Sequence, residues 1–337
     1  MLGVTSPAMV AAVSEAGGLG SLPVGGLSPH ETSLLIGKVK RLTGKPFAVN
    51  LFAHALPLTI EQESFQAMQD FLDRICRPYG ILVKKKAPEQ LIFYGYRDQV
   101  ASLIKAKVPI VSFTFGLPDA PTVSLLKQYG ITLIATATSL EEALMAEACG
   151  MDLVTLQGLE AGGHQGSFLP PGPEGRQHTQ DLLRQVIKQL QIPALAAGGL
   201  MEGTAIATAL RLGASGVQLG SAFLRCDESL ASQTYKQTIA SSTGADTVLT
   251  CSLTGRCARG ISNTLIRELE ASGLQIPPYP IQNSLTGAVR IQAKNMHIPA
   301  FQALWAGQHA FQAKAAKAAD ILDVLVSETR ASLATFF

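Results

Sequence analysis

One histidine stands among glycines in the run Gln157-Gly158-Leu159-Glu160-Ala161-Gly162-Gly163-His164-Gln165-Gly166. The run follows Met151 to Leu156, an apolar stretch that reads as a buried parallel strand. Glycine permits positive φ and lets a ligand approach the main chain closely. An imidazole just past the C-terminal end of such a strand sits where α/β barrels carry their chemistry. With a pKa near neutrality, His164 would suit proton abstraction or the binding of an anion.

Two later apolar runs also end in glycine: Ala196-Ala197-Gly198-Gly199 and Gln218-Leu219-Gly220-Ser221. Glycine-rich turns with free N–H groups at helix N-termini cradle phosphate, and barrels often place a phosphate site after strands seven and eight. The sequence has no Walker pattern nearby and no GxGxxG after its first strand, which disfavours a nucleoside triphosphate or a Rossmann-bound dinucleotide. A flavin mononucleotide (FMN) across a barrel mouth fits better. Asn50 and Gln157 are polar residues at the ends of otherwise apolar strands. Buried amides need partners; either the polar edge of a flavin ring or a neighbouring loop would supply them.

Strands and helices must alternate to bring these turns to one end. Seven strands are read at 19–22, 47–52, 108–113, 131–135, 152–156, 194–197 and 216–219. The helices between them carry start signals, such as Ser6-Pro7, the capping-box spacing Ser28-Pro29-His30-Glu31, and Ser139 with Glu142. This rhythm predicts an α/β protein of the TIM (β/α)8 type with a smaller, mainly helical second domain. The expected division is a barrel over 1–225, a helical substrate-side domain over 226–300, and C-terminal helices over 301–337 that pack back on the barrel. The rhythm begins with a helix, so an eighth strand would precede Met1. The chain is therefore expected to form an incomplete barrel, with weaker FMN retention or stability.

Composition narrows the class. The 337 residues are 47% hydrophobic and 15% charged, with a net charge of +2, so nothing points to nucleic acid or another polyanion. The five cysteines form no CxxC pair, which makes a disulfide framework or a metal site unexpected and a reducing cytoplasm the better fit. No apolar run reaches a membrane-spanning length.

The glycine–histidine loop and the two glycine turns together resemble the nitronate monooxygenase family. So do Ala16-Gly17-Gly18-Leu19-Gly20-Ser21, Val49-Asn50-Leu51-Phe52, Thr254-Gly255-Arg256-Cys257-Ala258-Arg259-Gly260 and Leu304-Trp305-Ala306-Gly307-Gln308. The last two look like its bacterial class I branch. The resemblance implies an FMN-dependent enzyme that oxidises alkyl nitronates such as propionate 3-nitronate with molecular oxygen, giving a carbonyl compound and nitrite. It implies His164 as the catalytic histidine. Asn50, Gln157, Gly162, Gly199, Gln218, Leu219, Gly220 and Ser221 match its FMN-binding positions, with Gly198 adjacent. Small molecules are the expected partners, in a monomer or homodimer. Two alternatives stay open: an FMN-dependent NAD(P)H reductase of the enoyl-acyl-carrier-protein or quinone type, and a non-catalytic flavin-binding barrel.

Overall fold

A parallel sheet curls through most of the molecule. The computed structural model describes residues 1–170 and 175–335. Its strands run in sequence order, β1 (Gly20–Pro23), β2 (Phe47–Phe52), β3 (Ile110–Thr114), β4 (Thr132–Ala137) and β5 (Leu153–Gln157). A two-residue strand of the histidine loop, β6 (Gly163–His164), leaves the sheet, which continues with β7 (Ala194–Ala197) and β8 (Gly216–Gln218). All neighbours in this seven-stranded sheet are parallel, and among the described residues no strand joins β1 to β8. The result is an open, TIM-like α/β sheet, as the alternating pattern predicts.

The crossovers are helical. Helices α1 (Pro7–Glu15), α2 (Pro29–Leu42), α3 (Gln62–Cys76), α4 (Tyr96–Lys105), α5 (Ala120–Gln128), α6 (Leu140–Ala148), α7 (Thr179–Val186) and α8 (Gly203–Arg211) alternate with the strands. Local chemistry sets their starts. Ser6 caps α1, with Pro7 at its first position, and Ser28 and Glu31 cap α2 reciprocally. At α6 the expected box is only half made. Ser139 accepts the Glu142 N–H, but the buried Glu142 carboxylate turns away and accepts the N–H groups of Phe168 and Leu169, at 2.6 and 2.9 Å. That acid fixes the far end of the histidine loop.

The rest of the chain is mainly helical, with two short strands added. Residues after 226 supply helices α9 (Gln233–Ser241), α10 (Thr264–Ala271), α11 (Ile281–Asn295) and α12 (Ala318–Ala334). They also supply strands β9 (Thr247–Thr250) and β10 (Ala258–Ile261), which the sequence reading does not anticipate. β10 pairs antiparallel with both β9 and β6, aligning Ala258 with His164. The turn between β9 and β10 holds a Cys251–Cys257 disulfide, a pairing that the cysteine spacing does not suggest.

Two hydrophobic clusters follow. The larger lies between the sheet and its helices and includes α12 residues Ala318, Ile321 and Leu325. The second joins Phe65, Met68 and Leu72 of α3 to Leu265, Val289 and Phe301, so α3, which shares the β2–β3 connection with α4, packs with the late helices. No described helix is long and apolar enough to cross a membrane.

Candidate active site

His164 is held by three strands' worth of backbone. Its loop leaves the end of β5, pairs through β6 with β10, and is tied again where Gln165 N–H donates to the Cys257 carbonyl at 2.9 Å. Gln157 holds the loop closed. Its side-chain oxygen accepts the Gly166 N–H at 2.7 Å, and its NH2 donates to the His164 carbonyl at 3.1 Å. The neighbouring-loop alternative for this amide is the arrangement found.

The imidazole Nε2 lies 2.8 Å from Oγ1 of the fully buried Thr254, and that hydroxyl donates to the Arg256 carbonyl at 2.9 Å. A hydroxyl has one proton and a carbonyl can only accept. Nε2 is therefore the protonated nitrogen, and Nδ1 keeps its lone pair. Aromatic rings enclose the histidine: Phe115, Trp305 and Tyr279 have centroids 5.4, 5.5 and 5.9 Å from it. Burial, with Arg290 and Arg256 adding to it, depresses the His164 pKa to about 3. This corrects the near-neutral value expected from residue type alone; the ring is an uncharged base.

Phe115 adopts a left-handed backbone, φ 75°, directly after β3. Such a conformation costs a non-glycine residue roughly 1–2 kcal/mol. It turns the ring between Phe52, His164 and Tyr279, and the Arg256 guanidinium lies 4.1 Å over its face. His54 stacks on the same ring and meets Tyr279 at 4.9 Å, with its own Nδ1 buried and unpartnered among the described residues. Burial lowers the His54 pKa and pushes the Tyr279 phenol up to about 12.

The glycine positions converge on a second part of the mouth. The segment 304–308 crosses it as a strap. Gly307 N–H donates to Ser221 Oγ at 2.9 Å, Gln308 N–H to the Glu160 carbonyl at 3.1 Å, and Ile261 N–H to the Leu304 carbonyl at 2.8 Å. A Cβ on Gly162 would lie 2.3 Å from the Gly307 nitrogen, so only glycine lets the strap lie down. Gly198 and Gly199 both have positive φ, 116° and 71°. Gly199 borders a cavity of about 250 Å³ with Glu160, Thr179, Met201 and His309. A larger groove, about 730 Å³, runs along α3 and 85–88 and contains none of these residues.

These turns suit a phosphate. The N–H groups of Gly198, Gly199, Gly220 and Ser221 make no hydrogen bond within the described protein, and Gly220 has open space where a side chain would be. The neighbouring helix end contributes less than its position suggests, because Gly203 at the start of α8 already donates to the Glu328 carboxylate of α12 at 2.9 Å. Asn50 donates to Ser112 Oγ and Thr114 Oγ1, both at 3.0 Å, which leaves its oxygen without a hydrogen-bond partner among the described residues. Gln218 accepts from Thr155 at 3.2 Å and is otherwise exposed, while Leu219 packs against the main core. The residues present thus fit a phosphate-bearing, planar cofactor.

Fold and site define a TIM-like α/β enzyme with its chemistry at the C-terminal ends of the strands. The nitronate monooxygenase family profile matches residues 1–328. A probable nitronate monooxygenase of Staphylococcus saprophyticus is 42% identical over 313 residues, covering 91% of this chain and 86% of that protein. The nitronate monooxygenase of Pseudomonas aeruginosa is 38% identical over 336 residues, covering 98% and 94%. Among solved structures, a nitroalkane oxidase from Streptomyces ansochromogenes superposes with a TM-score of 0.90 at 35% identity, covering 100% of this chain and 95% of that one. FabK from Thermotoga maritima gives 0.76 at 26% identity, covering 100% and 92%. The chain belongs to the nitronate monooxygenase family, a family of flavin-dependent oxidoreductases.

Reading by residue type found His164 and the glycine turns. It missed Thr254 and Phe115 as neighbours of the imidazole, and His54 and Arg290 altogether. Thr254 and Arg256 do fall inside a family-like run, but nothing local marks a threonine or an arginine as facing a histidine some ninety positions earlier.

Proposed function

We propose that this protein oxidises alkyl nitronates, such as propionate 3-nitronate, with molecular oxygen to a carbonyl compound and nitrite, using FMN. The observation that carries the reading is the uncharged, tautomer-fixed His164 at the glycine-lined mouth of a nitronate monooxygenase fold. The free amides of Gly198, Gly199, Gly220 and Ser221 would hold the phosphate. Asn50 Oδ1 and Gln218 would meet the ring's polar edge, while Gln157 and Gly162 set the loop beside it. Leu219 would contribute through the backbone of the same turn. FMN, when bound, supplies the electron acceptor, and that redox chemistry belongs to the cofactor.

The lone pair on His164 Nδ1 suits removal of the α-proton from a neutral nitroalkane, giving the nitronate in place. An unprotonated nitrogen does not hold an anion, so positive side chains must do that. Thr254 keeps the ring in the tautomer that leaves Nδ1 free. Phe115, Tyr279 and Trp305 exclude water around it.

The test is flavin absorbance after anaerobic mixing of the FMN-loaded protein with propionate 3-nitronate, and with NADH in a parallel cell. Bleaching by the nitronate and not by NADH is expected. Rapid bleaching by NADH alone would instead favour the NAD(P)H reductase reading. His164→Asn should retain FMN and lose at least about a hundredfold in turnover of neutral nitroalkane, the scale of a general base.

A further inference from the structure

The turn between β9 and β10 is anchored at both ends. Where it leaves β9, the fully buried Gln282 and Thr286 of α11 donate to the Ser252 and Leu253 carbonyls, at 2.8 and 2.6 Å. Where it enters β10, the Cys257 carbonyl accepts the Gln165 N–H at 2.9 Å, and Ala258 pairs with His164. Thr254, Gly255 and Arg256 stand between these anchors. Two main-chain bonds reach this tip: Gly255 N–H donates to the Cys251 carbonyl at 2.9 Å, and Tyr279 N–H to the Gly255 carbonyl at 3.4 Å. The Cys251–Cys257 disulfide spans the same interval and closes it into a ring.

That ring contains the group that sets the histidine. Thr254 gives its one proton to the Arg256 carbonyl and so takes the Nε2 proton of His164. The Arg256 carbonyl adjoins Cys257, so the disulfide holds it in place. With the ring open, the peptide after Arg256 is free to turn. The Thr254 hydroxyl can then donate to Nε2 instead, and the imidazole proton moves to Nδ1. In that tautomer Nδ1 has no lone pair with which to take a proton. The pair is also reachable, since Cys251 is exposed and Cys257 half-buried. Cys76 and Cys226 are buried instead, and burial pushes their thiols up to about 12 and about 11, which leaves them unreactive.

We propose that Cys251 and Cys257 form a redox-modification site, and that closing their disulfide locks His164 in the tautomer that acts as a base. The proposal rests on the reading of His164 as a base in nitronate chemistry. A low-molecular-weight disulfide such as oxidised glutathione closes the pair. The Cys251 thiolate attacks one of its sulfurs, forming a mixed disulfide and releasing a thiolate. The Cys257 thiolate then attacks the Cys251 sulfur and releases the second. The protein thiols lose two electrons and two protons, and the reagent is reduced to two thiols. A dithiol reverses both steps.

The flavin-free, full-length protein, labelled with nitrogen-15 in histidine, tests this by NMR. Thiols counted in denaturant should number five after dithiothreitol and three after oxidised glutathione. In the oxidised protein the His164 ring should show a protonated Nε2 and an unprotonated Nδ1. In the reduced protein the two nitrogen signals should move toward each other, as for mixed tautomers, and Cys251→Ser should keep that pattern under both treatments. In the FMN-loaded protein, reduction should lower kcat/KM for a neutral nitroalkane about tenfold, the loss expected of a base in the wrong form. The nitronate itself needs no deprotonation, so its kcat/KM should change by less than about twofold. Identical nitrogen shifts in the two states, or a count that stays at five after oxidation, would overturn the proposal. An equal loss with both substrates would also overturn it, marking the disulfide as a structural staple. The nitrogen shifts are read without flavin or substrate, so they decide the redox claim separately from the nitronate reading. Should Cys251→Ser not fold, the wild-type comparison decides.

Discussion

At the scale of the residue, the site is organised by what Thr254 does with one proton. Its hydroxyl gives that proton to the Arg256 carbonyl and so must receive one from His164. Thr254→Val should leave Nε2–H unpartnered and release the tautomer, lowering kcat/KM for a neutral nitroalkane about tenfold or more. Thr254→Ser should keep most of the rate, and a loss as large as valine's would contradict the role. The depressed pKa makes a separate prediction. In the flavin-free protein, the His164 ring signals should not move between pH 8 and 5 in an NMR titration, since the midpoint lies near 3. A midpoint near 6.5 would mean that the imidazole is far wetter than the enclosure of three aromatic rings allows.

At the scale of the element, the strap 304–308 matters as much as the strands. It bonds to β10, to the histidine loop and to Ser221, and thereby ties the late chain to the glycine turns. Gly162→Ala places a methyl group where the Gly307 nitrogen already stands. Overpacking of this kind costs about 1–3 kcal/mol, so the variant should melt at lower temperature and lose FMN faster on dilution. An unchanged melting temperature would show that the strap moves freely. The α8–α12 contact behaves differently. Glu328→Gln removes a carboxylate from the start of α8, and should lower stability by only about 0.3–1 kcal/mol.

At the scale of the whole molecule, the buried histidines make folding sensitive to acid. The folded His164 holds its proton only below about pH 3, whereas an unfolded histidine binds one below about 6.5. Between those values the unfolded chain carries the extra proton, so stability falls as pH drops from about 6.5 toward 3. His54, shifted down by burial, acts in the same direction. The urea midpoint of the flavin-free protein should be lower at pH 5 than at 7.5, and His164→Gln should remove part of that difference. A variant with the full wild-type pH dependence would place the acid sensitivity elsewhere.

Much of this was legible without coordinates. All seven sheet strands fall within three residues of their expected bounds, because short apolar runs punctuated by glycine have few ways to be buried other than in a parallel sheet. Helix starts at Ser6 and Ser28 were set by side chains one to three residues from the groups they cap. The glycine turns and His164 were visible because glycine and histidine at strand ends are chemically conspicuous. Other features depended on residues far apart in the chain. β10 is a central strand because β6, more than ninety residues earlier, pairs with the edge that β9 leaves free, and strand preference yields to such pairing. The turn of Glu142 toward Phe168 and the capping of α8 by Glu328 are likewise products of position. The sequence by itself determined the sheet, its order and the end that carries the chemistry, because those follow from local pattern. The tertiary structure decided the charge of that end, with its neutral histidine and its buried arginines, because charge in a protein is set by burial and by neighbours that only folding brings together.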